Sequence, residues 1–452
     1  MKSVIVNLLV YTTILIRPGN WYKGETMEKL TQWMEEHFVP IAAKIGSQKH
    51  LVAIRDSFIA IMPVTMAGSI AVLLNVFFRD LPNNFKAEGF VEFMQPIIAI
   101  NGNVWFGTIA VFALVFVFSL GYNVSKAYNV NPSAGGLIAF AAYITSLPQV
   151  FNEGWGAISV GYTGAASLFS ALIIGLITTM IYVKLTQKNF VIKMPDSVPP
   201  AVSKAFVAII PGTVAIFTMA ILTYLSTTYT DLYIGDLVNK FVQEPFLKLS
   251  QGLPSILIVT IFVQLFWFFG LHGTNVLAPL LDGVYKTALG ENTLAYEMGK
   301  RGLDLPHVWT RGSFDAYAWM GGAGATLALL IAILIFSKRE GERAVASVSL
   351  PMGVFNINEP VTFGLPIVLN SIYFIPYVII TPIMVGIAYF FTVAGIIPPV
   401  AIEIPWIMPP VIYAFLATGG SIAAALVALL NFIIAIAIWS IFVVIGNKLE
   451  DK

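Results

Sequence analysis

The sequence predicts an all-α polytopic membrane protein. Of its 452 residues, 58% are hydrophobic and 11% are charged, whereas a typical soluble domain has about 25% charged residues. The mean hydropathy is +0.83. Apolar stretches recur along the chain at the length of roughly 20 residues that a helix needs to cross the hydrocarbon core. We therefore expect about ten transmembrane helices, two re-entrant hairpin-like segments and interfacial amphipathic helices.

Composition excludes several classes of function. The formal net charge is +1, which gives no reason to expect a nucleic-acid partner. The chain has no cysteine, so it can form neither a disulfide nor a thiolate metal site and cannot use a cysteine nucleophile. No phosphate-binding loop, zinc motif or paired-carboxylate signature is visible, and we expect no metal and no cofactor.

The first 26 residues are interpreted as an upstream extension. Lys2 and the apolar run from Val4 to Ile16 resemble the start of a signal sequence, but no small-residue cleavage site follows. An amphipathic pattern begins after Met27, so we expect residues 27–52 to form an interfacial helix that starts at the true initiator. A cleaved or anchoring signal over residues 1–26 is the alternative.

Residues 53–230 are predicted to form an N-terminal membrane domain that serves as scaffold and dimerisation domain. Basic residues cluster before the first span, after the second, and between the fourth and fifth, which predicts a cytoplasmic N-terminus. The five predicted spans cover residues 53–78, 103–122, 134–150, 165–185 and 205–228.

The second part of the chain is less regular. Residues 231–253 have apolar residues at helical spacing and predict a second interfacial helix, followed by a substrate-binding transport domain over residues 254–452. Two half-apolar segments, 272–290 and 345–366, interrupt this domain, and paired interrupted segments indicate a transporter's binding site. The other predicted spans cover residues 254–271, 317–336, 371–394 and 420–446.

Glu359 is the first candidate for a binding residue. A carboxylate at membrane depth costs roughly 2.5–3.5 kcal/mol even on the lenient insertion scale, so an intramembrane glutamate indicates function. Asn356 and Asn358 precede it, and Pro360 and Pro366 break the helix, so the backbone must be buried in protein or line a wet cavity. The alternative is a loop that lies wholly in water.

His272 is the candidate catalytic residue. It is followed by Gly273 and preceded at two positions by Gly270, so a ligand can approach the backbone closely. An imidazole can take a proton near neutral pH, as a general base must. Asn275, three residues later, is a further candidate contact. The alternative is a packed histidine bonded to a backbone carbonyl.

Trp267 and Trp406 are candidate platforms for the carbon face of a ring such as that of a sugar, with an indole N–H free to donate. The alternative is a belt of tryptophans at the membrane interface. Glu403 is a further candidate contact, but we expect it to be a loop residue.

Four stretches together resemble a known family. They are Pro40–Ser47 with His50–Asp56, then Ile192–Val202, then the segment around His272, and finally Asn358–Pro360 with Phe363–Pro366. In this order, over residues 28–450, they resemble the membrane-embedded C component, or permease, of the bacterial phosphotransferase system, in its lactose, cellobiose and diacetylchitobiose branch. Only residues 1–26 fall outside the resemblance.

The resemblance implies a homodimeric permease of the bacterial cytoplasmic membrane that carries a disaccharide inward and releases it phosphorylated on its C6 hydroxyl. It implies that His272 lies by this hydroxyl and that Glu359 bonds the sugar. The phosphoryl donor would be a phosphocysteine on a separate soluble B component, and the absence of cysteine from this chain agrees. One alternative is an ion-coupled oligosaccharide symporter in which Glu359 relays a proton; another is a membrane enzyme acting on lipid-linked sugar.

Overall fold

The computed structural model describes residues 47–450 apart from residues 153–154, 159, 196, 366 and 369, together with residues 36–37, 40 and 44. The predicted extension over residues 1–26 and most of the predicted interfacial helix over residues 27–52 lie outside the described residues. Pro366 lies outside them as well.

The predicted all-α class is confirmed. In the described part of the chain, the strands Val150–Asn152 and Trp155–Ala157 form a small antiparallel hairpin, and helices make up nearly all other regular structure. Five described helices are long and apolar enough to cross a membrane, or six if a pair bent by 81° counts as one span. The five are Met62–Asn83, Ala165–Gln187, Pro200–Thr230, Ile372–Val393 and Ile422–Asn447. The predicted number of about ten stays a prediction.

Two predicted boundaries in the N-terminal half, which we define as residues 47–230, are wrong. The first predicted span, 53–78, is split at Ile61, where Pro63 opens a new helix because it has no N–H to donate to the preceding turn. The second, 103–122, begins at Phe112 instead. A helix over Glu88–Phe106 lies largely between the first two predicted spans. Its first turns contain acidic residues, so a search for apolar spans misses it.

The remaining predicted helices of this half are present with small shifts. The helical elements are Lys49–Ala60, Met62–Asn75, a π-helical turn Val76–Asp80, Leu81–Asn84, Glu88–Phe106, Phe112–Ala127, Pro132–Thr145, the short turns Val160–Tyr162 and Ala165–Ser167, Leu168–Gln187 and Pro200–Thr230.

The C-terminal half, residues 231–450, begins with the predicted amphipathic helix, which turns sharply into Leu253–Phe268. Both predicted interrupted segments are broken into short helices. The elements are Ile234–Val238, Asn239–Gln243, Glu244–Ser250, Leu253–Phe268, Gly273–Val276, Ala278–Leu280, Leu281–Tyr285, Lys286–Glu297, Gly302–Asp304, Arg311–Tyr317, Ala323–Ala325, Thr326–Phe336, Glu340–Val354, Glu359–Gly364, Ser371–Val393, Ile412–Ala417 and Ile422–Glu450.

Buried polar side chains bond backbone carbonyls in the core of the C-terminal half, at the helix end Tyr317, at the break around Gly324 and within the helix Ser371–Val393. Asn431 Nδ2 donates to the carbonyls of Tyr317 and Met384, and the Trp439 indole N–H donates to Gly324 O at 3.0 Å. Backbone groups released by a helix break need such partners because an unsatisfied group in an apolar interior costs several kcal/mol. The breaks are therefore built into the core of the C-terminal half.

Candidate functional site

A cavity of about 470 Å³ lies between the two halves of the chain. The N-terminal half contributes side chains between Arg55 and Ser69, and the C-terminal half contributes the remainder. All seven predicted site residues line this one cavity, although the sequence places them in three separated stretches. They are Trp267, His272, Asn275, Asn356, Asn358, Glu359 and Trp406.

His272 is held by the turn that follows it. Its Nδ1 accepts a hydrogen bond from the backbone N–H of Asn275 at 3.3 Å and lies 3.0 Å from Thr274 Oγ1. The side chain thus caps the short helix Gly273–Val276. Its other nitrogen, Nε2, lies 3.6 Å from Glu359 Oε1. The Nδ1 edge of the imidazole is held by the turn, which orients the ring, and the Nε2 edge faces the Glu359 carboxylate.

Glu359 begins the short helix Glu359–Gly364, with Asn358 as the preceding cap residue. Asn358 is buried and packs against Gly322, where a Cβ atom would lie 2.7 Å from the Asn358 side chain. Gly322 also has a φ of +94°, a conformation that residues with a Cβ rarely adopt. A glycine loop therefore supports the segment that carries the carboxylate.

The two predicted tryptophans differ in exposure. Trp267 is 2% exposed, its ring centroid lies 4.3 Å from that of His272, and its indole nitrogen has no hydrogen-bond partner among the described residues. Trp406 is 39% exposed and lines the cavity. Trp267 supports the imidazole from behind, and Trp406 is the one whose ring a ligand can reach.

Asn356 has both of its amide hydrogens engaged. The amide oxygen accepts from Gly321 N–H at 2.8 Å, and the amide nitrogen donates to the carbonyls of Trp406 and Met408 at 2.7 and 2.9 Å. This side chain therefore has no donor left for a ligand, and its amide oxygen keeps one further acceptor position. The prediction that Asn356 contacts the ligand stays a prediction.

The sequence interpretation missed a row of charged side chains on the cavity wall. Arg311 pairs with Asp315 at 2.6 Å and with Asp282 at 3.5 Å, and Lys286 pairs with Glu403 at 3.1 Å. Glu403 lies outside regular helix, as expected of a loop residue, but its carboxylate lines the cavity. The usable signal was the presence of Asp282 and Lys286 inside the half-apolar segment 272–290, whereas Arg311 and Asp315 lie outside both such segments.

The arrangement suits a neutral polar ligand. Paired charges along one wall offer many hydrogen-bonding groups without a large net charge, and Trp406 offers an apolar face. No group of three or more His, Asp or Glu side chains in the described part of the chain could hold a metal ion.

Residues 55–382 match the family described as "Phosphotransferase system, EIIC". The chain belongs to this family. It is a multi-pass membrane permease that transports a sugar and works with a separate EIIB component, and the predicted resemblance is confirmed. The symporter alternative is not favoured.

This EIIC protein is similar to relatives over nearly its whole length. It is 39% identical over 490 residues to the PTS system cellobiose-specific EIIC component of Lactococcus lactis subsp. lactis (strain IL1403), covering 94% of this chain and 99% of that protein. It is 27% identical to the PTS system lactose-specific EIICB component of Staphylococcus haemolyticus (strain JCSC1435), covering 94% of this chain and 72% of that one.

A solved structure agrees with the fold of this EIIC protein. The crystal structure of the transporter ChbC, the IIC component from the N,N'-diacetylchitobiose-specific phosphotransferase system, matches with a TM-score of 0.85 and 31% sequence identity. The match covers 93% of this chain and 98% of ChbC.

Proposed function

We propose that this EIIC permease carries a disaccharide of the cellobiose, diacetylchitobiose or lactose type inward and holds its C6 hydroxyl between His272 and Glu359 for phosphorylation. The observation that carries the proposal is the separation of 3.6 Å between His272 Nε2 and Glu359 Oε1 on the cavity wall. The volume of about 470 Å³ falls within the range of small-molecule sites. Similar proteins are named for cellobiose and N,N'-diacetylchitobiose, which are both disaccharides.

The hydrogen bonds of His272 support a division of roles between the two residues. A backbone N–H only donates, so Nδ1 carries the lone pair and the proton of the neutral imidazole is on Nε2. Nε2–H can donate to the hydroxyl oxygen but cannot take the hydroxyl proton. Glu359 is the acceptor beside it, and we assign the general base to Glu359 and the orientation of the hydroxyl to His272. This differs from the role expected of His272 from its residue type.

The transfer step balances with these groups and a phosphocysteine donor. The sugar O6 attacks phosphorus, the phosphorus–sulfur bond breaks, the thiolate leaves, and the hydroxyl proton passes to the Glu359 carboxylate. The donor cysteine must belong to another chain because this sequence contains none. We assign it to the soluble EIIB component. Lys193, in a predicted cytoplasmic loop, is a candidate for docking it, whereas the Arg339 guanidinium already donates to Glu342 and Gly446.

We assign different roles to the two parts of the chain. Residues 53–230 form the scaffold and the homodimer surface, and residues 254–452 carry the sugar across the bacterial cytoplasmic membrane, with the N-terminus in the cytoplasm. Broken helices around a binding site suit alternating access, because whole segments can move together with the ligand.

The proposal is tested with purified protein and its EIIB partner. We expect calorimetry to detect binding of cellobiose, N,N'-diacetylchitobiose or lactose, and mass spectrometry to detect a C6-phosphorylated product when phosphorylated EIIB is added. An EIIB variant with serine in place of its cysteine is the control and should yield no product. Absence of binding to all three sugars, or uptake of unmodified sugar with intact EIIB present, would contradict the proposal.

A further inference from the structure

Asn356 joins three segments of the chain at the cavity. The amide oxygen holds the glycine loop at Gly321, and the amide nitrogen holds the carbonyls of Trp406 and Met408. The residue is 8% exposed, so water does not compete freely for these bonds. Asn356 also lies three positions before Glu359 in the same turn. One side chain thus connects the segment of the carboxylate to the segment of the exposed indole.

We propose that Asn356 is a positioning residue that fixes Trp406 at the cavity that Glu359 also lines, and that its contribution to sugar binding is transmitted through Trp406. The inference rests on the proposed function because it takes a sugar as the ligand of the cavity. The inference gives Asn356 a role that its residue type does not reveal. An asparagine near a carboxylate that binds a ligand is usually interpreted as a direct contact with that ligand.

Two local requirements meet at this position. The backbone of Asn356 has a φ of +62°, in the left-handed region where asparagine and glycine are the residues most readily accepted. The side chain must also supply two hydrogen-bond donors and one acceptor to fixed partners. Glycine meets the first requirement without the second, and aspartate keeps the shape without the donors.

Trp406 depends on this support because its own packing is limited. The residue is 39% exposed, whereas Trp267 is 2% exposed. Residues 405–408 form no regular helix, and the bond from Met408 N–H to Pro405 O closes only a local turn. The two bonds from Asn356 tie this turn to the remainder of the site.

The test uses Asn356→Asp and Asn356→Gly. Asn356→Asp places a carboxylate oxygen, which cannot donate, next to the carbonyl oxygens of Trp406 and Met408. Asn356→Gly removes the side-chain amide without straining the backbone. Each should bind the disaccharide about 10- to 100-fold more weakly, because buried hydrogen-bonding groups lose their partners. Asn189 supplies the matched control: it is exposed and has a φ of +56° outside the cavity. Asn189→Asp and Asn189→Gly should change the affinity by less than about twofold.

Combination with Trp406→Ala distinguishes a positioning role from a general structural one. If Asn356 acts through Trp406, adding Asn356→Asp to Trp406→Ala should weaken binding by less than about threefold further. Independent losses that multiply, or wild-type affinity in either Asn356→Asp or Trp406→Ala, would overturn the inference. Failure of both Asn356 variants to yield monodisperse protein would overturn it too, since the residue would then serve the fold. Failure of the proposed function is seen separately, as a wild-type protein that binds no disaccharide.

Discussion

At the residue scale, the site is defined by which hydrogen-bonding atoms are already used. Nδ1 of His272 and both amide hydrogens of Asn356 have protein partners, whereas Nε2 of His272 and the Glu359 carboxylate face each other on the cavity wall. The side chains of His272 and Glu359 are 39% and 48% exposed, so a ligand can reach both. Available atoms, rather than residue types, indicate which groups we expect to contact the sugar.

Glu359→Gln should impair phosphorylation more than binding. An amide cannot take the hydroxyl proton, so product formation at saturating sugar should be nearly lost. Affinity should fall by roughly 1.5–3 kcal/mol, the usual value of a hydrogen bond to a charged group. Calorimetry measures the affinity, and mass spectrometry of the phosphosugar with phosphorylated EIIB measures the rate. A full rate at saturating sugar would refute the assignment of the base.

His272→Gln is the matched comparison for that experiment. Its amide N–H can still donate to a hydroxyl oxygen, so we expect it to keep much of its sugar binding and part of its phosphorylation rate. His272→Ala, which has no donor, should lose more of both. If His272→Gln loses phosphorylation while still binding sugar, and Glu359→Gln keeps it, His272 rather than Glu359 is the base.

At the element scale, broken helices bring short turns to the cavity, and glycines permit their close packing. Gly321 and Gly322 both have positive φ, and Gly322 contacts the Asn358 side chain directly. The cavity wall therefore depends on contacts between the glycine loop at residues 321–322 and the interrupted segment 345–366. In a continuous helix at either segment, the backbone N–H and C=O groups would bond to each other within the helix. No turn would then reach the cavity.

Gly322→Ala should weaken sugar binding by displacing Asn358 and, with it, Glu359. The added methyl would meet the Asn358 side chain at 2.7 Å, and the φ of +94° adds backbone strain of about 1–3 kcal/mol. Gly299→Ala is the control for strain alone, since Gly299 has a φ of +90° and an added methyl there would meet no heavy atom of the described residues within 4 Å. Thermal stability and sugar affinity are measured for both. Equal sugar affinities would show that the Asn358 contact has no role in binding.

At the scale of the whole molecule, the cavity lies between two halves with largely separate cores. One buried apolar cluster comes from helices between Ala53 and Met219, and a larger one comes mainly from residues between Val238 and Val443. Contacts between the halves include Gly290 against Ala165 and the Lys286 ammonium over the Phe112 ring at 4.8 Å. Movement of one half against the other would change the access to the cavity.

A disulfide between the halves should stop transport. In Ala165→Cys combined with Gly290→Cys, a Cβ on Gly290 would overlap the Ala165 Cβ at 2.5 Å, so the two segments must separate by about 1 Å to reach the Cβ–Cβ distance of about 3.5–4.5 Å in a disulfide. The chain has no other thiols, so oxidation is specific. Uptake into vesicles should cease on oxidation and return on reduction.

The control for this experiment is a cross-link within one half. Ser125→Cys with Gly135→Cys joins positions of the N-terminal half whose Cβ atoms would lie 2.7 Å apart. Oxidation of this pair should leave uptake unchanged. Undiminished uptake by protein fully cross-linked between Ala165 and Gly290 would rule out relative movement of the halves at this contact.

Much of the site was predictable from the sequence because its signals are local. A carboxylate, asparagines and prolines in an apolar chain are costly wherever the chain folds, so Glu359 and its neighbours were identifiable without a structure. His272 was identified as a candidate by its neighbouring glycines and its proton chemistry, and Trp406 as a flat apolar platform for a sugar ring. Helix boundaries were less predictable: in the helix over Glu88–Phe106, acidic residues in the first turns and Pro96 inside the helix interrupt the apolar run.

The sequence by itself determined the all-α membrane class and the segments that carry the site, since hydropathy and helix breaking act over a few neighbouring residues. Only the tertiary structure decided how the side chains are used. Arg311 and Lys286 line the cavity as paired charges. The side-chain amide of Asn356 makes hydrogen bonds to the backbone of Gly321, Trp406 and Met408. These roles depend on partners that are distant along the chain, and a hydrogen bond or ion pair exists only once folding has brought both of its members together.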